Sequence, residues 1–248
     1  MKICKKYVAG VLIVGSVLFF SCKKEFKKLI VEDTNLSGKA FLKVYNSAVN
    51  TNRNYVYVDN VPVTGSIIAY GGVFPSTGYT SALDPGTHAI VVKDTLATST
   101  QTPVSFTSTF EPGKNYTVFT YDTVNSVKYK LVTDVIEIPA DTTARIRFAN
   151  MIYSSTPLPN VDVFSIRKNA NIFSNVALGQ VTDFIPYASN WIDTVYVRAT
   201  GTTTNLTPLF AIRATQKRSY TIVYRGRYET TTPSTAALLR SLTSFANY

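Results

Sequence analysis

The sequence is poor in the residues that most often carry chemistry. Its 248 residues include one histidine, two cysteines and one tryptophan. A Ser-His-Asp or Cys-His arrangement would have to use His88. That residue lies in Gly86-Thr87-His88-Ala89-Ile90, just after a turn, and reads as a half-exposed strand residue. A lone histidine falls short of the several nitrogen and sulfur ligands of a typical zinc site. No run has the alternating Asp or Asn ligands and closing Glu of a calcium loop. Gly71-Gly72 lacks the Lys-Ser/Thr that completes a phosphate loop. No catalytic residue, metal or cofactor is therefore expected, and the chain does not read as an enzyme. The alternative is a carbohydrate-active enzyme such as a glycoside hydrolase, which needs two facing carboxylates. Asp162, Asp183 and Asp193 are its candidates.

Long apolar runs are scarce too, and the longest opens the chain. Met1 to Lys6 is basic, and Tyr7 to Phe20 is apolar and uncharged. A spanning helix needs about 20 residues, so this shorter run reads as a secretory signal over residues 1–21. Phe19-Phe20-Ser21-Cys22 resembles a bacterial lipobox. The resemblance implies cleavage before Cys22 and acylation of its thiol, palmitate included, so that membrane lipid is a partner. Cys4 would leave with the signal, no disulfide could form, and a hydrophobic core must hold the fold.

Residues 22–38 then form a lipid-anchored linker, where Lys23, Lys24, Lys27 and Lys28 surround Glu25 and suit a headgroup surface. Loss of Lys2, Lys5 and Lys6 leaves 22 basic against 15 acidic residues, a charge of +7 in place of +10. The expected address is the cell envelope, at the outer membrane, with the periplasmic or surface face left open. Export and the lack of a reading motif argue against nucleic acid as a partner. A glycan or an envelope protein remains.

From Lys39 onward, short runs rich in Thr, Val, Tyr and Phe alternate with Gly, Pro, Asn and Asp turns, with no long helical period. Phe41–Tyr45, Tyr55–Val58, Ala89–Val92, Pro103–Phe110 and Tyr116–Tyr121 read as strands. The order then recurs. Ala40-Phe41-Leu42-Lys43-Val44-Tyr45-Asn46 matches Ala144-Arg145-Ile146-Arg147-Phe148-Ala149-Asn150. Lys114-Asn115-Tyr116-Thr117-Val118-Phe119 matches Arg218-Ser219-Tyr220-Thr221-Ile222-Val223. An offset near 105 residues suits a duplicated Ig-like sandwich of about 100 residues. The expectation is all-β, with two tandem Ig-like β-sandwich domains over 39–138 and 143–248 and a short stiff connector between them. In Arg145-Ile146-Arg147-Phe148 the alternation predicts a solvated basic face.

The second copy resembles a secreted bacterial family, the domain of unknown function 4397. The residues that carry this are Ala144 to Asn150, Asn160-Val161-Asp162-Val163-Phe164, Val181-Thr182-Asp183-Phe184 and Arg218 to Val223. The resemblance is firmest over 143–226 and weaker over 39–122. It implies an Ig-like sandwich and an extracytoplasmic address, and it brings no chemistry. The chain is thus expected to be a noncatalytic envelope lipoprotein with a binding or structural role, in glycan capture, adhesion or envelope assembly.

Three aromatic residues are candidate ligand contacts: Tyr70, Phe74 and Tyr79, in an uncharged Gly/Pro loop. Rings on loops offer rigid contact area at low entropy cost. The competing reading turns Phe74 and Tyr79 inward as a cap. Trp191 is expected in the core or at a domain interface. Asp94-Thr95-Leu96, Asp122-Thr123-Val124 and Asp193-Thr194-Val195 resemble a bacterial O-glycosylation acceptor, which makes Thr95, Thr123 and Thr194 candidate sites.

Overall fold

The computed structural model describes residues 35–231 and 238–248. The signal, Cys22 and most of the proposed linker lie outside the described residues. The described chain is all-β, and the expected strands are all present. The first half contains β1 (Ala40–Asn46), β2 (Tyr55–Val58), β3 (Val61–Pro62), β4 (Val73–Phe74), β5 (Ser81–Leu83), β6 (Gly86–Lys93), β7 (Val104–Phe110), β8 (Asn115–Tyr121) and β9 (Lys128–Asp134). The second contains β10 (Ala144–Asn150), β11 (Val161–Ser165), β12 (Ala170–Val176), β13 (Ile185–Tyr187), β14 (Ile192–Ala199), β15 (Phe210–Arg213), β16 (Ser219–Arg225) and β17 (Ser241–Ala246). Among the described residues no helix is long and apolar enough to cross a membrane.

Each half is a sandwich of two sheets. In the first, β4-β1-β8-β9, with β5 also on β1, faces β3-β2-β6-β7. In the second, β13-β10-β16-β17 faces β12-β11-β14-β15. Leu42, Val44 and Val118 meet Val56, Ile90, Val92 and Phe106 in one core. Ile146, Phe148 and Ile222 meet Val163, Val195, Val197 and Phe173 in the other. The recurrence seen in the sequence has a geometric counterpart. β1 runs parallel to β8 with Lys43 opposite Thr117, and β10 runs parallel to β16 with Arg147 opposite Thr221.

Matching backbone turns complete the likeness. Gly71 N–H donates to Asn46 C=O while Asn46 N–H donates to Gly72 C=O; Gly179, Asn150 and Gln180 repeat the pair. Gly71 and Gly179 both have φ in the left-handed region, at 79° and 74°, which favours glycine.

A third core joins the halves. Tyr45 and Phe119, on the outer face of the β1–β8 sheet, pack with Ala149, Met151, Val223 and Phe245 on the outer face of the β10–β16 sheet. The Tyr45 and Phe245 rings stack at 5.3 Å. β1, β8, β10 and β16 are therefore buried on both faces. Residues 37–248 form one compact unit; the stretch from 138 to 143 separates the strands of the two sandwiches, but side chains from both sides of it share this core.

The solvated basic face predicted for β10 is a correction. Arg147 is only 2% exposed, because the other sandwich covers that face. Its Nη1 pairs with Asp134 Oδ1 at 2.6 Å and its Nε donates to Thr221 Oγ1 at 2.8 Å. Thr117 Oγ1 donates to the second Asp134 oxygen at 2.6 Å, and Thr221 Oγ1 donates to Asn247 Oδ1 at 2.6 Å. Lys43, the counterpart of Arg147, is also buried, and its Nζ donates to Tyr79 C=O. Burial pushes the Lys43 ammonium down to about 8, against the opposing pull of the Asp134 charge. Arg145, by contrast, is half-buried and donates to Thr143 Oγ1 at 2.7 Å.

Candidate functional site

Trp191 lies outside both cores. It is 59% exposed, which corrects the expectation of a core or interface role. The ring precedes β14, where the chain comes off the turn at Asn190, whose φ of 62° turns the backbone. Arg167 stacks on it with the guanidinium carbon 4.2 Å from the ring centroid. Trp191, Arg167, Lys168, Tyr187, Ala188 and Asp193 line a shallow recess of about 50 Å³. Ile192 and Ile166 add exposed apolar surface at the same end of the sandwich, since Ile166 N–H bonds Thr194 C=O beside β14.

The floor of the recess is held by a buried carboxylate. Asp193 accepts from Ser165 Oγ at 2.6 Å, Tyr187 OH at 2.5 Å and Arg167 N–H at 3.2 Å. Burial opposes its ionisation, but these bonds outweigh burial and hold it below the usual carboxylate range. The same pairing, after burial, pushes the Tyr187 hydroxyl up. The arrangement fixes the backbone at Arg167 and the ring of Tyr187, and thereby the platform. It offers an exposed indole beside two cationic side chains, suited to stacking and hydrogen bonding.

The candidate carboxylates take separate roles. Asp162 accepts from Asn175 N–H, Asn171 Nδ2 and Thr200 Oγ1 at 2.8–2.9 Å, near the start of β11. Asp193 is tied to Ser165 at the far end of that strand. Asp183 lines a groove between the halves. Among the described residues no group of His, Cys, Asp and Glu is placed to hold a metal ion. His88 is half-buried in β6, with Nδ1 2.5 Å from Asp59 Oδ2 and Nε2 2.8 Å from Asp84 O. The bond to Asp59 raises its pKa.

The 70–79 loop meets the second half of the chain. Tyr70 is half-buried, with the Arg225 guanidinium 4.5 Å over its ring. Phe74 pairs with Val44 and packs on the first core. Gly78 N–H donates to Ala246 C=O at 3.0 Å, and Ala246 N–H donates to Thr77 Oγ1 at 2.7 Å. Of the three proposed contact rings only Tyr79 is exposed, at 69%. Of the candidate acceptors, Thr95 is exposed on a loop after β6, while Thr123 and Thr194 are half-buried. Sequence reasoning passed over Arg167 and the exposure of Trp191. The available signal was the basic pair Arg167-Lys168 at a turn, which becomes a platform only when the turn is folded against Asp193.

The fold defines an all-β protein of two joined sandwiches. Residues 40–158 match the family model of a domain of unknown function, DUF4397. The match covers the first half and ends shortly after β10, whereas the resemblance in the residues was firmest over 143–226. None of the curated proteins matches the chain. Among solved structures, the N-terminal domain of AlgF from P. aeruginosa aligns at 22% identity with a TM-score of 0.28, over 39% of this chain and 94% of that one. The carbohydrate-binding module CBMbc (family CBM26) from Eubacterium rectale Amy13K, solved with maltoheptaose, aligns at 12% identity with a TM-score of 0.28, over 84% and 97%. At these scores neither likeness bears on function.

Proposed function

We propose that this chain is a noncatalytic binding lipoprotein of the cell envelope that captures a glycan on the Trp191 platform. The carrying observation is an indole 59% exposed yet held in place by Arg167 at 4.2 Å. A large exposed ring with a fixed orientation has little freedom to lose on binding. Arg167 and Lys168 beside it favour hydroxyl-rich or acidic sugars, which accept their hydrogen bonds.

The test uses the fact that Trp191 is the only tryptophan, so its emission reports the site directly. Neutral and uronic-acid oligosaccharides are titrated against the full chain. At least one is expected to shift the emission saturably. Trp191→Ala should weaken that binding by about 2 kcal/mol, the usual size of a hot spot, with little change in melting temperature. No emission change from any saccharide, or full binding by the variant, contradicts the proposal.

The anchor belongs to the same reading. Two or three acyl chains on Cys22 hold a protein at a membrane, because one chain alone binds reversibly. Cys22→Ala should abolish palmitate incorporation and release the chain from membranes. Labelled, membrane-bound mutant protein rules the anchor out.

A further inference from the structure

The two halves differ at one matching place, and the difference leaves a groove. Val73 pairs with Tyr45 and Val181 with Ala149; Ser81 pairs with Leu42 and Ile185 with Ile146. Phe74 and Thr182 thus occupy equivalent positions, as do Ser81 and Ile185. Six residues, 75–80, bridge the first pair of positions and two, Asp183 and Phe184, bridge the second. The longer bridge reaches across to edge strand β17, where Gly78 N–H and Thr77 Oγ1 bond the two outward backbone groups of Ala246.

The counterpart of β17 is edge strand β9. Ala246 pairs with Tyr220, and Thr133 pairs with Tyr116 in the same register. The Thr133 N–H and C=O therefore point away from β8, to the open side of the sheet. The short bridge does not reach them. Instead Val132, Thr133, Thr182 and Phe184 line a groove of about 260 Å³ together with the charged Glu137, Arg145, Arg147 and Asp183. The Phe184 ring lies 4.6 Å from the Arg147 guanidinium, whereas in the other half Lys43 Nζ donates to the Tyr79 carbonyl.

We propose that this groove docks an extended, uncharged peptide segment of a partner protein, carrying a Thr-Gly-like pair that bonds the β9 edge at Thr133. The occupant's chemistry is argued from the chain's own clasp, which seats such a segment on the equivalent edge. An open edge with outward N–H and C=O is a template for strand addition. This inference is independent of the Trp191 platform, which lies on other strands.

The probe is the clasp peptide itself, Phe-Pro-Ser-Thr-Gly-Tyr-Thr, titrated into the isotope-labelled full chain. Saturable shifts are expected at the Thr133 amide and its groove neighbours. Thr133→Pro removes the outward N–H at an edge position that tolerates proline, and should weaken binding about tenfold, the loss of one ordinary hydrogen bond. A second variant replaces Asp183-Phe184 with residues 75–80, fills the groove from within, and should abolish binding. If Thr133→Pro fails to fold, this variant decides. Absence of shifts at millimolar peptide, shifts centred elsewhere, or binding that survives the filled groove overturns the proposal.

Discussion

Arg147→Met is expected to destabilise the chain by about 3–5 kcal/mol, the usual cost of breaking a buried ion pair from one side. Arg147 and Asp134 have side chains 2% and 3% exposed and lie 2.6 Å apart. Without the guanidinium, Asp134 keeps the Thr117 hydroxyl but loses its charged partner. Lys43 feels the Asp134 charge, but its ammonium is committed to the Tyr79 carbonyl. Thr221 also loses the Nε donor. Replacing both members, as in Arg147→Met with Asp134→Leu, should recover most of the loss, because neither charge is then desolvated. Urea unfolding midpoints measure both. A loss below about 1 kcal/mol for the single variant, the range of exposed pairs, would mean that water reaches the pair and that the halves do not seal it.

The strands were readable because alternation of apolar and polar residues marks them directly. What alternation cannot tell is which kind of surface lies beyond the polar face. Arg147 reads as solvent-facing because it alternates with apolar residues, yet it meets Thr117, Thr221 and Asp134 beneath a second sandwich. A polar-lined interface and a wet surface have the same period. The 70–79 loop gave a better signal. An uncharged aromatic loop implies contact with something, and much of that something is β16 and β17 of the same chain.

The candidate site was less legible. Trp191 is a residue type usually buried, and nothing in Asn190-Trp191-Ile192 says otherwise. Its exposure depends on Asp193 turning inward to Tyr187 and to Ser165, the latter 28 residues away in sequence.

The second large effect follows from the shared core. Ile90→Ala, in the first sandwich at a fully buried position, should cost about 2–5 kcal/mol. If the halves unfold together, the loss appears everywhere, because the slowest amides exchange only through global opening. Native-state hydrogen exchange on the full chain reads this strand by strand. Ile90→Ala is expected to lower the protection free energy of β14 and β16, in the other sandwich, as much as that of β6 and β8. A loss confined to β2, β6 and β8, with β14 and β16 unchanged, would contradict it and make the two sandwiches independent units that merely touch.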